Sequence, residues 1–413
     1  MLTRLSQNTL TLLSSNLGGA LLLFVLSAMI GRTLGSAGLG VYAVALAWVY
    51  PLSLLVEFGL TTLMTREISA NIDQLPTYME SITLARLLIG GTVLIALYVA
   101  APRLSADPAV VVGLQVTAPL VIIQPFYSQF TTAFKVRGFM WTIPALNLGM
   151  IGAQVLLTAL ILASGGTVLH ALILNTITSA VQLVAAWCLY QAYVRRDRLH
   201  SVGSIQSSGR DESRPYNDIR LLALLRAALP FALAAVFAAL QARMVFFLLE
   251  HQVMEAGYFS AANRFIEAAK LLPNAFFAAL FPLIGSASVR GAFRPATLGL
   301  AAFGFSAGIG FTVTAPFLLT LVFGADFLPA APTLIVLGWS LIFFGLRGNR
   351  TIYWYAHGGE HFVNGVNALA VVAIFLLGLG LIPLFGAFGG AVAVLLTELG
   401  VTTLLYARKG AEL

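Results

Sequence analysis

The chain has 413 residues, of which 59% are hydrophobic and only 9% are charged, and its mean hydropathy is +0.92. A soluble domain carries roughly 25% charged residues, so most of this chain cannot form a water-facing surface. In a soluble protein, a net charge of +7 would suggest that nucleic acid is a partner. In this chain the positive charge is explained by the basic residues of the cytoplasmic segments of a membrane protein. The single Cys188 lies in an apolar run and excludes disulfides and cysteine metal sites.

Long apolar runs between charged and turn-forming clusters predict twelve transmembrane helices. Each span needs about 20 apolar residues, and a helix satisfies its backbone polar groups within one segment. Segment 35–40, rich in glycine, is predicted to be the turn between the first two runs. In chain order the runs are Leu10–Ile30, Val41–Leu63, Ile82–Ala101, Ala109–Phe130, Trp141–Ala163, Leu169–Tyr193, Leu221–Leu249, Ala261–Ile284, Leu298–Phe323, Ala330–Leu346, Phe362–Ile382 and Ala387–Tyr406.

The basic residues predict that both termini are cytoplasmic. With that orientation, 16 Lys and Arg residues, including Arg347 and Arg350, fall in cytoplasmic segments, and only Arg32 and Arg103 fall in outer loops. Positive charge accumulates on the cytoplasmic side of membrane proteins. Five further basic residues lie within or at the ends of the spans: Arg86, Arg226, Arg243, Arg264 and Lys270.

A polar linker and a weak internal repeat divide the chain in two. Residues 195–220 form the one long polar stretch, a predicted cytoplasmic linker between six-helix lobes at 1–194 and 221–413. Gly40 matches Gly257 at an offset of 217 residues. A second set of matches, at an offset of 220, pairs Gly138, Asn147 and Gly166 with Gly358, Asn367 and Gly386. These matches predict a parallel repeat, and transporters with such repeats bind substrate between their lobes. We therefore expect an all-α polytopic membrane protein with a central cleft.

An ordered set of short motifs resembles the polysaccharide-biosynthesis, or O-antigen, flippases of the multidrug/oligosaccharidyl-lipid/polysaccharide exporter superfamily. The resemblance covers nearly the whole chain, and the ordered set is more specific for the superfamily than for the substrate. The motifs are Gly31-Arg32-Thr33-Leu34-Gly35, Glu57-Phe58-Gly59-Leu60, Thr65-Arg66-Glu67-Ile68, Leu229-Pro230-Phe231, Gly257-Tyr258-Phe259-Ser260, Phe323-Gly324-Ala325-Asp326-Phe327 and Gly386-Ala387-Phe388-Gly389-Gly390.

The resemblance implies a transporter of the bacterial inner membrane. Its substrate would be a polyprenyl-pyrophosphate-linked oligosaccharide, moved from the cytoplasmic to the outer leaflet by alternating access, for the synthesis of a cell-surface polysaccharide such as lipopolysaccharide. Membrane lipid and glycan-assembly enzymes are the expected partners, with no cofactor. Relatives place Asp where this chain has Glu57, which leaves the local geometry there open.

Candidate substrate-binding residues are the charges predicted at membrane depth. Such residues are costly in lipid and usually face a cavity or a partner. Arg243, Arg264 and Lys270, with Glu267, are expected to stack along one face with a net charge of +2. Arginine suits phosphate oxygens, so these cations could hold the pyrophosphate. A structural network in which Glu267 neutralises Arg264 is the alternative.

Five other polar positions carry further hypotheses. Arg86, at the cytoplasmic end of the third run, could bind substrate or extend toward water. Glu57 could carry a coupling proton or pair with a basic neighbour, and Glu398 could be a coupling charge or a polar contact between helices. Asn147 and Asn367 are expected to form hydrogen bonds between helices.

Two other functions remain as alternatives. A multidrug or cation antiporter of the same superfamily would need an acidic cavity, and the excess of buried basic residues argues against it. A membrane-embedded glycosyltransferase or polymerase would need an acid and a base with positioned partners, and every predicted outer loop is short. The segment 357–361 matches an H-x-x-E-H zinc pattern, but adjacent glycines disfavour the helix it requires, so no metal site is expected.

Overall fold

The computed structural model describes residues 2–61, 64–65, 75–202, 221–280 and 287–408, and these ranges contain helices, turns and short irregular segments. Eight described segments are long and apolar enough to cross a membrane, and two of these contain a sharp bend. Counted between bends and turns, the described helices are α1 (2–34), α2 (36–57), α3 (Leu75–Leu104), α4 (Pro108–Val136), α5 (Thr142–Ala163), α6 (Val168–Val202), α7 (Leu221–Leu248), α8 (253–280), α9 (Ala287–Phe323), α10 (Ala331–Ala356), α11 (360–385) and α12 (387–407). The prediction of an all-helical protein with about twelve spans is confirmed.

Two glycines separate consecutive spans without a loop. Gly35, between α1 and α2, has φ 68°, and Gly386, between α11 and α12, has φ 53°. Residues other than glycine rarely adopt positive φ. At each of these two points a single glycine forms the sharp bend between one helix and the next. The predicted turn over 35–40 is therefore wrong, because residues 36–40 already belong to α2.

Two predicted boundaries also differ from the structure. Helix α8 begins at Val253, eight residues before the predicted start at Ala261. Its first turn contains Glu255, whose carboxylate accepts a 2.7 Å hydrogen bond from the backbone nitrogen of Ala387 at the start of α12. Helix α10 continues to Ala356, ten residues beyond the predicted end. Arg347 and Arg350 therefore lie within this helix rather than in the loop that follows it.

The turns define two faces of the molecule. We call the Gly35 face the side with the turns at Gly35, residues 249–252, Gly324 and Gly386. The Gly138 face is the opposite side, with the turns at Gly138 and Gly358.

Near the Gly35 face, one buried core joins both halves of the chain, as in the contact of Phe24 from α1 with Phe265 from α8, whose ring centroids lie 5.2 Å apart. Toward the Gly138 face, the described residues form two separate cores. One surrounds Phe134 in the first half and includes Ala228 from the start of α7, and the other surrounds Trp354 in the second half. The two halves are thus packed together at the Gly35 face and largely apart at the Gly138 face.

Equivalent hydrogen bonds support the internal repeat. Asn147 accepts a 2.6 Å bond from Tyr127, and Asn367 accepts a 2.8 Å bond from Arg347, each from a donor 20 residues earlier. Gly138 and Gly358, also 220 residues apart, have φ 80° and 71°. In the third predicted pair, however, the positive φ falls on Gly165 rather than Gly166.

The lobe boundaries stay a prediction. Helix α6 continues to Val202, so the predicted linker is helical at its start, and residues 203–220 lie outside the described residues.

Candidate functional site

Two cavities adjoin near the contact between the halves of the chain. Cavity A has a volume of about 410 Å³ and lies within the second half, between α7, α8, α10, α11 and α12. Cavity B, of about 220 Å³, lies between the first half and helices α7 and α8. Arg243, Asn263 and Glu267 line both cavities, so this trio marks the point where they meet.

Arg243 has no carboxylate within 4.0 Å among the described residues, although Glu267 interacts with it electrostatically from farther away. Its guanidinium lies over the ring of Tyr50 on α2, 5.5 Å from the centroid, and over Phe246 at 5.9 Å. Its Nε atom is buried without a hydrogen-bond partner in the described part of the chain. Arg243 therefore bridges the two halves through aromatic contacts and keeps donors for another group.

Arg264 is paired, as the structural alternative anticipated. Its Nη1 donates to Glu267 Oε2 at 2.8 Å, and Asn263 Nδ2 donates to the other carboxylate oxygen at 3.0 Å. Because α8 begins at Val253, Arg264 lies about 16 Å along the helix. It lines cavity B, and Glu267 holds it there.

Lys270 sits at the bend of α8, where the helix Val253–Ala269 meets the helix Leu271–Leu280. Its ammonium lies 4.6 Å from the centroid of the Phe344 ring, and it lines cavity A. No described carboxylate lies within 4.0 Å of it. Like Arg243, Lys270 presents a positive charge that no ion pair neutralises.

Arg347 also lines cavity A, although its predicted position beyond the end of a span did not indicate this. Its Nη1 donates to Glu398 Oε1 at 2.8 Å, with side-chain exposures of 17% and 10%. Its Nη2 donates to Gln241 Oε1 at 3.0 Å and to Asn367 Oδ1 at 2.8 Å. A helical pattern could have revealed it, because Ser340, Phe344, Arg347 and Thr351 recur at helix spacing and all line cavity A.

Glu398 and Asn367 thus form polar contacts between helices. This was one of the two alternatives for Glu398, and it is what was expected for Asn367. Asn147 likewise accepts bonds from Tyr127 on α4 and Gln182 on α6.

Arg86 lies away from both cavities. It is fully buried, so the expectation that it extends toward water is wrong. Its guanidinium donates to the carbonyl of Pro125, to Thr61 Oγ1 at 2.8 Å and to Gln129 Oε1 at 3.3 Å. Glu57 interacts with it electrostatically and accepts a 3.3 Å bond from Ser128. Arg86 and Glu57 form one internal network in this conformation.

The H-x-x-E-H segment forms a turn. His357 ends α10, its Nδ1 lies 2.7 Å from the carbonyl oxygen of Tyr353, and its ring stacks on that tyrosine at 4.2 Å. In the described part of the chain, no three His, Cys, Asp or Glu side chains are placed to hold a metal ion.

Together, the cavities gather four cations and two carboxylates, which leave a net charge of +2. Four of the predicted charged residues, Arg243, Glu267, Lys270 and Glu398, line cavity A, and Arg264 joins Arg243 and Glu267 in cavity B. This arrangement can hold an anion where the two cavities meet.

A family comparison agrees with this architecture. A sequence model of the polysaccharide biosynthesis protein family matches residues 5–288. The chain belongs to this family. Among curated proteins, no sequence matches it.

Solved structures share the fold at low sequence identity. The lipid II flippase MurJ, in an inward closed conformation, superposes with a TM-score of 0.72 at 15% identity, covering 97% of this chain and 87% of that one. An inward-facing multidrug resistance MATE transporter of the MOP superfamily superposes with a TM-score of 0.67 at 14% identity, covering 98% and 96%. The Vibrio cholerae MATE transporter VcmN gives 0.61 at 17% identity, covering 98% and 95%. The protein is therefore a multi-pass membrane protein of the polysaccharide biosynthesis family, with the fold of these transporters.

Proposed function

We propose that the protein flips a polyprenyl-pyrophosphate-linked oligosaccharide from the cytoplasmic to the outer leaflet of the bacterial inner membrane, in the synthesis of a cell-surface polysaccharide. The observation that carries this proposal is the pair of unneutralised cations, Arg243 and Lys270, on the wall of a cleft in a polysaccharide biosynthesis protein. Insertion scales put the cost of each charge at a helix centre at about 2.5–3.5 kcal/mol. An anionic substrate would offset that cost.

The charge balance favours this substrate over an organic cation. A net charge of +2 around the two cavities repels cations and attracts a pyrophosphate. The guanidinium of Arg243 offers the forked donors that phosphate oxygens accept. The alternative of a multidrug or cation antiporter therefore has weaker support.

The orientation follows from the basic residues. Arg347 lines cavity A and no longer counts toward the cytoplasmic set of sixteen, which leaves fifteen basic residues against Arg32 and Arg103 at the opposite face. The bias still favours cytoplasmic termini, which makes the Gly138 face cytoplasmic. Because the halves are largely apart at that face, the described conformation suits loading of a substrate made in the cytoplasm. Rocking of the halves would then expose the site to the other leaflet.

Binding of a defined anion tests the proposal. Geranyl pyrophosphate should bind the purified protein in detergent, and uncharged geraniol should bind much more weakly. Arg243→Ala should weaken pyrophosphate binding about 10- to 100-fold, since hydrogen bonds to charged groups contribute about 1.5–3 kcal/mol. Arg226→Ala is the matched control, because Arg226 is an exposed arginine on the same helix, α7, outside both cavities. Equal affinities for geraniol and geranyl pyrophosphate would refute an anion site.

The Glu267→Gln variant separates a binding role from a structural one. In this variant the net charge of the cavities rises to +3 and an oxygen stays near Asn263, so pyrophosphate affinity should rise. If Glu267 serves only to neutralise Arg264, the variant should instead yield less folded protein with unchanged affinity. Flipping of a fluorescent polyprenyl-pyrophosphate disaccharide in proteoliposomes, measured in parallel, reports whether the same site carries transport.

A further inference from the structure

Cavity A contains polar groups that binding of a pyrophosphate does not require. Beside the cations, its wall presents amide and hydroxyl side chains from four helices. These are Gln241, Asn263, Ser340, Thr351 and Asn367. At this end of the cavity Arg347 is neutralised by Glu398, so the surroundings are balanced in charge while rich in hydrogen-bonding groups. Such a wall suits an uncharged polar ligand better than an anion.

Glu398 leaves one acceptor unused. The residue is 8% exposed, and its Oε1 accepts bonds from Arg347 at 2.8 Å and from Gln241 Nε2 at 3.3 Å. Its Oε2 is buried and has no hydrogen-bond partner among the described residues. A buried acceptor without a donor costs about 1–3 kcal/mol, so a donor supplied by a ligand would be favourable. A hydroxyl fits, because Arg347 disfavours a cation at this carboxylate and the carboxylate disfavours an anion.

Aromatic side chains complete the wall. Phe259, Phe277 and Phe344 also line cavity A. A pocket with apolar surfaces and a few placed polar groups is typical of sites that bind small organic molecules. A sugar ring matches this combination, because its C–H faces pack on aromatic rings while its hydroxyls donate to carboxylate and amide oxygens.

The equivalent position in the first half is occupied by uncharged groups. There, Tyr127 stands where the repeat places Arg347, and Asn147 accepts from both Tyr127 and Gln182 at 2.6 and 3.0 Å. The buried ion pair with an unused carboxylate oxygen is therefore a feature of the second half. The difference between equivalent positions points to a specific role in cavity A.

We propose that cavity A is the sugar-binding subsite, which receives the sugar attached to the pyrophosphate and contacts its hydroxyls through Glu398, Gln241 and Asn367. This inference rests on the proposed function, because a pyrophosphate at Arg243 and Lys270 brings the attached sugar against the cavity A wall. Arg243 lines both cavities, so the linkage between phosphate and sugar lies where they meet.

Paired probes test this subsite. Binding of farnesyl pyrophosphate is compared with binding of farnesyl pyrophosphate bearing glucose, N-acetylglucosamine or rhamnose. At least one sugar should increase the affinity of the wild-type protein about tenfold or more. Ala238→Trp places a bulky ring in cavity A and replaces none of its charged residues. This variant should abolish the sugar-dependent increase in affinity while leaving the affinity for farnesyl pyrophosphate unchanged. Leu233→Trp is the matched control, because Leu233 lies on the same helix, is 46% exposed and does not line the cavity.

A second variant tests the unused oxygen. Glu398→Gln keeps an acceptor for Arg347 and replaces the other oxygen by a donor, so it should reduce the sugar-dependent increase by about tenfold or more. The inference is overturned if no sugar increases affinity, or if the increase survives in Ala238→Trp and Glu398→Gln. If the wild-type protein does not bind farnesyl pyrophosphate at all, the proposed function is overturned, and this inference falls with it.

Discussion

Gly40 and Gly257, equivalent positions of the internal repeat, lie against each other where α2 crosses α8. A Cβ on Gly40 would overlap the carbonyl oxygen of Val253, and a Cβ on Gly257 would overlap that of Ser36. The helices of the two halves therefore approach backbone to backbone near the Gly35 face. This contact closes that face in the described conformation.

We expect Gly257→Ala to force the two helices apart. Overpacking a tight contact costs about 1–3 kcal/mol, so the thermal unfolding midpoint in detergent should fall and flipping in proteoliposomes should decrease. Gly149→Ala is the control, because Gly149 lies within α5 with open space where its Cβ would be. Replacing a helical glycine there should be neutral or stabilising. A Gly257→Ala protein with wild-type stability and transport would contradict the tight crossing.

Arg32 is predicted to hold the Gly35 face closed. Its Nε donates to the carbonyl of Val322 at 2.8 Å, and its Nη2 donates to that of Leu321. These carbonyls belong to the last turn of α9, where a helix leaves acceptors unsatisfied. Loss of these charge-assisted bonds, worth about 1.5–3 kcal/mol, should raise the open population about tenfold or more in Arg32→Ala.

Cysteine labelling measures this opening. In a Cys188→Ser background, a Ser36→Cys reporter, whose native side chain is 8% exposed, should be labelled faster in Arg32→Ala. Arg103→Ala, at an exposed arginine near the end of α3, serves as the control. Equal labelling rates in the two variants would show that Arg32 does not hold the face closed.

The Arg86 network should be structural. Arg86 donates to three oxygens in the protein interior. Hydrogen bonds to a charged group contribute about 1.5–3 kcal/mol, so Arg86→Met should yield much less monodisperse protein after mild heating. The double variant Arg86→Met with Glu57→Gln should recover part of that loss, because it no longer leaves the Glu57 carboxylate without the guanidinium that interacts with it. If Arg86→Met is stable but no longer binds geranyl pyrophosphate, Arg86 contacts substrate in another conformation, as its sequence position suggested.

Hydropathy and residue order were enough to predict the spans, the family and the concentration of charge in one hairpin. Those features are local, because the apolar length needed to cross lipid is a property of a single segment. Arg243, Arg264, Glu267 and Lys270 were predicted together because helix spacing and depth can be counted along α7 and α8.

The partners of those charges depended on tertiary structure. Sequence spacing could relate Arg264 to Glu267, three residues away, but not Arg347 to Glu398, 51 residues away on another helix. The crossing and rotation of helices decide which side chains meet, and small residues such as Gly40 and Gly257 set how closely they cross. The separation of unpaired Arg243 and Lys270 from paired Arg264 and Arg347 therefore became visible only in the folded chain.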